Sequence, residues 1–161
     1  MVNQFVISQV IRSDTVDLNL TGIKSKEQLL DTMISMFLKA GVIESREKFL
    51  EAIYEREALG PTYMDNCIAI PHGKSMTVKT PCVAFARCNE GVFYNTQLGG
   101  GIVKLIFMLA IPGEMSGEEY IRVLSRLARL LIYEDFIAAL YKAETYDDVI
   151  AAIKEGEKNL S

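Results

Sequence analysis

Histidine occurs once in this sequence and cysteine three times, and both scarcities narrow the chemistry open to it. Cys67, Cys82 and Cys88 are odd in number and form no C-x-x-C pair, which suits a reducing compartment rather than a disulfide framework. One imidazole and three scattered thiols offer no usual zinc-ligand spacing, so no metal is expected. Basic excess is lacking too. The formal net charge is −4 and the sequence pI ≈ 5.1, which leaves nothing to displace the counterions of a phosphate backbone, and nucleic acid is not an expected partner. The longest strictly apolar run, Leu105 to Ile111, falls far short of the roughly 20 residues needed to cross a bilayer. Met1 to Val10 has no positively charged start and no cleavage-like segment after it. Neither a signal peptide nor direct membrane insertion is expected, and the predicted location is cytoplasmic.

What the chain does contain is apolar residues in regular patterns. Its 161 residues, 50% of them hydrophobic, suffice for one well-buried core, and no repeat or linker divides them, so a single domain over residues 1–161 is predicted. Residues 1–13 show no clear period. Val16, Leu18 and Leu20 alternate with Asp17 and Asn19, a half-buried strand pattern. Ser25 and Gln28 open a helix carrying Leu29, Leu30, Met33, Ile34 and Phe37, which Gly41 stops. Ser45 caps a second helix with Phe49, Ile53 and Arg56 on one stripe, ended by Gly60-Pro61. Cys82 to Ala86 reads as a strand covered on both faces. Asn89-Glu90-Gly91 reads as a turn, with Val92 to Tyr94 as a returning strand and Gly99-Gly100-Gly101 as a flexible connector. Ile102 to Ile111 reads as a central strand.

Ser116 and Glu119 begin a helix with Tyr120, Val123, Leu124, Leu127 and Leu131 on its inner face. Arg122, Arg126 and Arg129 share another face, read as solvated surface with a partner contact as the alternative. Phe136, Ile137 and Leu140 mark a short helix, and Thr145 and Asp148 start a last one with Val149, Ile150 and Ile153. Strands interleaved with helices predict a layered α/β domain in which helices cover a mixed sheet.

The lone histidine, His72, sits in Cys67-Ile68-Ala69-Ile70-Pro71-His72-Gly73-Lys74. Cys67 to Ile70 reads as a short buried strand that Pro71 closes, which places His72 at a strand end. Gly73 beside it lets another molecule's atoms approach the backbone. Gly73-Lys74-Ser75 imitates the end of a phosphate-binding P-loop, but Ile68 stands where the required glycine would be. Cys67 lies in the apolar run, so a Cys/His dyad is not expected.

What remains is an imidazole acting as its own nucleophile, the alternative being a satisfied or surface histidine. Its neutral form offers a lone pair without help from a base. Arg56 also reads two ways: a cation complementing its helix dipole, or a guanidinium held at the core edge to meet an anion. Phosphoryl transfer asks a protein mainly for in-line positioning and neutralisation of oxygen charge, for which a histidine and an arginine suffice.

The Arg56-Glu57 pair followed by Gly60-Pro61-Thr62-Tyr63 and Ile68-Ala69-Ile70-Pro71-His72-Gly73 resembles the fructose/mannitol-type enzyme IIA (EIIA) domain of the phosphoenolpyruvate-dependent sugar phosphotransferase system. The resemblance runs from about Val16 to Ile153, with the nearest wording on the mannitol side. It implies an α/β/α sandwich in which His72 accepts a phosphoryl group from the carrier protein HPr. It implies transfer onward to a cysteine of an EIIB domain, for uptake of a hexitol or ketose through a membrane permease. No metal or organic cofactor is implied. Arg56 falls on the family's phosphoryl-neighbouring arginine, Thr62 on a threonine that donates to the phosphoryl group or orients the ring, and Gly73 beside the phosphorylated residue. Tyr120 occupies the slot where many members carry a second histidine, either as a core aromatic or as a neutral donor replacing it. A regulatory, nitrogen-related module that phosphorylates no sugar is the alternative.

Overall fold

The computed structural model describes residues 6–160. A short 3₁₀ turn, Ile7–Gln9, leads into β1 (Ile11–Asp17), followed by α1 (Lys26–Lys39) and α2 (Arg46–Leu59). Then come β2 (Ile68–Ala69), β3 (His72–Ser75), β4 (Cys82–Thr96) and β5 (Gly99–Pro112), and finally α3 (Gly117–Leu130), α4 (Glu134–Lys142) and α5 (Tyr146–Lys158). The sheet order is β1-β4-β5, with β2 and β3 both on the far side of β5. β1 runs parallel to β4, β4 antiparallel to β5, and β2 and β3 parallel to β5. The sheet is therefore mixed, and β5 is its centre, as expected.

Side-chain alternation along β5 divides the interior into two layers. Ile106, Met108 and Ala110 pack with Leu29, Met33, Phe37, Phe49 and Ile53 of α1 and α2. Leu105, Phe107, Leu109 and Ile111 pack with Val123, Leu127, Phe136, Leu140, Val149 and Ile153 of α3, α4 and α5. This is an α/β/α sandwich. Near-continuous apolar runs in β4 and β5 follow from burial on both faces.

The helix ends obey the cap chemistry read from the sequence. Ser25, Ser45 and Ser116 accept from the backbone N–H groups of Gln28, Lys48 and Glu119, and Gly41 takes φ 75° just past α1. Thr145 and Asp148 form a reciprocal capping box on α5. The Gln28 side chain instead accepts from Lys24 N–H.

Several expectations need correction. The strand placed at Val16 to Leu20 begins earlier and ends at Asp17; Leu18 and Leu20 are buried beyond it, with Leu20 N–H bonded to Arg87 O. Asn89-Glu90-Gly91 is not a turn. β4 runs through it, with a register irregularity between Arg87 and Val92 that absorbs Gly91 at φ 80°. The reversal falls at Gln97-Leu98, between the paired Thr96 and Gly99, so Gly99 to Gly101 begin β5 rather than connect to it. Arg126 and Arg129 are not simply solvated. They bond Glu157 and the carbonyl of Leu160, tying α3 to α5, while Arg122 pairs with Glu118 on the surface.

Pro71 interrupts a strand instead of ending one. β2 and β3 lie on either side of it, and both pair with β5: Ala69 opposite Ile106, His72 opposite Leu109. The missing N–H is tolerated because β3 is the edge of the sheet. Beyond Pro71 the alternation continues, so Gly73 faces α2. A Cβ there would lie 3.2 Å from Ala52 Cβ and from Ile53 N. The body that Gly73 admits is thus the protein's own second helix, not an incoming molecule. Gly73→Ala is expected to lose about 1–3 kcal/mol of stability by overpacking, measured by urea denaturation; an unchanged midpoint would mean that α2 withdraws without cost.

Candidate functional site

The site forms where α2, β3 and α3 meet at the sheet edge. Glycine 60 ends α2, and the chain then passes through three consecutive non-glycine residues in the left-handed region, Asp65, Asn66 and Cys67, at φ 67°, 53° and 63°. Asp and Asn visit that region at modest cost; Cys does so less readily. This reversal lays residues 62–64 beside residues 68–70, with Met64 N–H bonded to Ile68 O and Ile70 N–H to Thr62 O. Cys67 therefore belongs to the turn and not to the strand, contrary to the sequence expectation.

His72 projects to the α3 side of the sheet, the side that Ile68 and Ile70 also face. Only 5% of it is exposed, and both ring nitrogens are engaged. Arg56 Nε donates to His72 Nε2 at 3.1 Å. Nε2 must then carry the lone pair, and Nδ1 carries the proton, donated to the carbonyl of Ile70 at 2.8 Å. A backbone acceptor thus selects the tautomer. Burial lowers the pKa below the ordinary 6.5. The bond to Ile70 opposes that shift, the Arg56 guanidinium adds to it, and Glu57 opposes it. At neutral pH the ring is uncharged.

Arg56 reaches the ring from the other layer. Its helix packs against the sheet face opposite His72, and the long side chain passes the open edge of β3; its Nη1 also donates to Gly60 O at 2.9 Å. Tyr120, in the first turn of α3, stands edge-on to the imidazole with ring centroids 5.7 Å apart at 74°. Burial raises its pKa, an effect Arg56 opposes, so its hydroxyl keeps its proton at neutral pH. Lys74, two residues beyond His72 on the same face, holds Nζ 5.9 Å from the Tyr120 ring centroid, within cation–π range. A cavity of about 180 Å³, lined by Arg56, Thr62, Met64, Ile70, His72 and Leu124 among others, opens in front of the imidazole. Of the residues singled out from the sequence, Arg56, Thr62 and His72 line this cavity, Tyr120 packs edge-on to the imidazole without lining it, and Gly73 lies beneath, against α2.

Thr62 is placed differently from a free phosphoryl donor. Its hydroxyl donates to the carboxylate of Glu57 and lies 2.8 Å from the Tyr94 hydroxyl. Glu57, 6% exposed, pairs through its other oxygen with Lys26 at 2.8 Å. Lys26 Nζ also donates to Asn95 O and sits 4.4 Å from the Tyr94 ring centroid. Burial and the Glu57 carboxylate push the Tyr94 phenol up, keeping it a donor. The sequence reading missed Lys26, Glu57 and Tyr94. The available signal was a carboxylate at the end of an apolar stripe, next to Arg56, in a helix with few other reasons to turn inward. Among the described residues no group of acidic, cysteine and histidine side chains is arranged to hold a metal ion, and no helix is long and apolar enough to cross a membrane.

The fold and site together define an α/β/α sandwich that presents one neutral histidine beside an arginine at the edge of a mixed sheet. The family model for the phosphoenolpyruvate-dependent sugar phosphotransferase system, EIIA 2, matches residues 9–156, and the chain belongs to that family. EIIA components are phosphotransferases of this system.

The fructose-specific EIIABC component of Bacillus subtilis is 36% identical over 152 residues, covering 94% of this chain but 24% of that protein. The chain spans a correspondingly small part of that relative. The fructose-specific EIIA component of Haloferax volcanii is 35% identical over 134 residues, 81% of this chain and 86% of the relative. A mannitol-specific enzyme IIA component of Bacillus subtilis is 30% identical over 151 residues, 91% and 98% of the two chains. The nearer wording expected on the mannitol side is therefore corrected: these fructose-named relatives are more alike. Among solved structures, the nitrogen regulatory protein IIA-Ntr of Neisseria meningitidis superposes with a TM-score of 0.80 at 28% identity, covering 91% and 98%.

Because the chain has one histidine, its imidazole can be titrated alone by NMR. The expected pKa lies below 6.5, and Arg56→Ala raises it, since the guanidinium disfavours imidazolium. The lowered folded-state pKa means the unfolded chain takes up the proton first. The stability this contributes is complete above the ordinary histidine range and is lost as pH falls through the folded value. A pKa above 6.5 would contradict the buried, neutral ring.

Proposed function

We propose that this domain carries a phosphoryl group on His72, taking it from the phosphohistidine of HPr and passing it to a cysteine of an EIIB domain. The observation that carries the reading is the pair of bonds on the imidazole: Ile70 O holds the Nδ1 proton, and Nε2, at the cavity wall, carries the lone pair, which accepts from Arg56 Nε until a phosphoryl group takes that donor's place. In the first step Nε2 attacks phosphorus in line, a P–N bond forms, and the donor imidazole leaves with the electron pair of the bond that breaks. Positive charge developing on the His72 ring is shared with Ile70 O through Nδ1–H. The Arg56 guanidinium, already at Nε2, turns its donors to the phosphoryl oxygens. In the second step a thiolate attacks phosphorus and the electron pair returns to Nε2. Tyr120 supplies a neutral hydroxyl donor where relatives have an imidazole, Thr62 orients the wall beside the ring, and Gly73 keeps α2 close. No metal or organic cofactor enters either step.

The role in transport is to serve uptake of a ketose or hexitol, supported by the fructose-named relatives and by the B and C components named together with A in the Bacillus protein. The donor and acceptor are cytoplasmic, and so is this domain. A second reading, a regulatory module whose phosphorylation state controls another protein, is supported by the nitrogen regulatory structure. Transfer to an EIIB cysteine separates the two.

Incubation with phosphoenolpyruvate, enzyme I and HPr is expected to add one acid-labile phosphate, which His72→Ala abolishes; incorporation into the Ala variant would refute the assignment. Arg56→Ala is expected to slow transfer about 10²-fold, read by rapid quench, and an undiminished rate removes Arg56 from the mechanism. Tyr120→Phe is expected to change the lifetime of the phosphoprotein, whereas equal lifetimes assign Tyr120 to packing alone.

A further inference from the structure

Behind the histidine lies a buried polar cluster that the two transfer steps do not use. Glu57 follows Arg56 in the last turn of α2, and its carboxylate is held on both oxygens: by Lys26 at 2.8 Å on one, and by the hydroxyls of Thr62 and of Tyr94, the latter at 3.2 Å, on the other. Its backbone carbonyl accepts from Gln97 Nε2 at 2.8 Å and from Gly60 N–H at 3.3 Å. Both hydroxyl protons of the cluster are committed. The Thr62 hydrogen goes to Glu57, so the Tyr94 hydrogen goes to Glu57 or to Thr62 Oγ1, and neither hydroxyl has one left for the cavity. Lys26 and Glu57 are 8% and 7% exposed at their side chains, so the pair is sheltered from screening.

The cluster touches the imidazole at two removes. Through Gly60, whose N–H donates to the Glu57 backbone carbonyl and whose own carbonyl accepts from Arg56 Nη1 at 2.9 Å, the Glu57 backbone, anchored by the clamp on its side chain, fixes the turn against which the guanidinium rests. Through Thr62, whose carbonyl accepts from Ile70 N–H at 2.9 Å, it fixes the segment that supplies the Nδ1 acceptor. Arg56 and the Ile70 carbonyl make the two bonds that decide which nitrogen of His72 carries the lone pair.

We propose that Glu57, clamped by Lys26, Thr62 and Tyr94, is a positioning residue that holds both ends of the His72 hydrogen-bond pair, and that the Thr62 hydroxyl serves this clamp and not the phosphoryl group. The inference rests on His72 being the phosphoryl acceptor, but its structural half does not need phosphorylation to be tested. The groups facing Glu57 are Lys26 from α1, Tyr94 from β4, Thr62 from the loop and Tyr54 on its own helix; those facing His72 are Arg56, Tyr120 and Glu57.

The experiment compares the parent with Glu57→Gln, the charge-balanced double variant Lys26→Met with Glu57→Gln, Thr62→Val and Thr62→Ser. Imidazole ¹⁵N shifts report the tautomer of the single histidine, and rapid quench reports transfer from phospho-HPr. The expected result is a mixed tautomer and transfer slowed about tenfold in Glu57→Gln, the double variant and Thr62→Val, with parental values in Thr62→Ser. Should Glu57→Gln fail to fold for want of a partner to Lys26, the double variant and Thr62→Val carry the test. A parental tautomer and rate in the folded double variant and in Thr62→Val would overturn the proposal. Slowed transfer in Thr62→Val with an unchanged tautomer would also overturn it, by returning the hydroxyl to the phosphoryl group. If the parent itself accepts no phosphate, the phosphocarrier reading fails, while the tautomer comparison still decides whether Glu57 positions the ring.

Discussion

The structure turns on an imidazole held between a backbone carbonyl and a guanidinium. The carbonyl of Ile70 fixes the proton on Nδ1, and Arg56 marks Nε2 as the nitrogen with the lone pair. Burial keeps the ring neutral, so its lone pair needs no general base to release it. The same burial shields the guanidinium's attraction for an anion from water. On the proposed phosphocarrier reading, one arrangement prepares the nucleophile and the charge partner together.

That arrangement asks the fold for an awkward geometry, because His72 and Arg56 belong to opposite layers of the sandwich. The solution lies at the sheet edge. Pro71 breaks β2 from β3 where no outer ladder partner is lost, His72 points toward α3, and Gly73 lets the backbone of α2 come within 3.2 Å of where a Cβ would stand. α2 then lies close enough for its last-turn arginine to reach around the edge strand. The left-handed run Asp65 to Cys67 folds the intervening loop back to wall the cavity. It concentrates uncommon backbone conformations beside the chemistry, as functional sites often do.

Much of this was legible in the residues themselves. Helices α1, α2, α3 and α5 announced themselves through Ser and Thr caps as well as apolar stripes, α4 through its apolar stripe alone, and β5 through an unbroken apolar run. His72 and Arg56 were legible because few other residues offered chemistry. The errors have a common origin in local signals that tertiary pairing overrode. Gly91 marked an irregularity in a long strand rather than a turn, because β5 pairs on both sides of it. Gly73 suggested ligand access, yet its neighbour is Ala52. Glu57 and Lys26 were passed over because charged residues on helices usually face water, and only the assembled fold shows the two meeting Tyr94 from three different elements.

The central claim is that Nε2 of His72, and not Nδ1, makes the bond to phosphorus. The direct measurement is a ³¹P–¹⁵N correlation on the phosphorylated, ¹⁵N-labelled protein, in which the one histidine leaves no ambiguity of residue. Coupling of phosphorus to Nε2, with Nδ1 still directed at Ile70, is the predicted result. Coupling to Nδ1 would contradict it, since that nitrogen would have to give up its carbonyl partner and the ring would have to turn over in its socket.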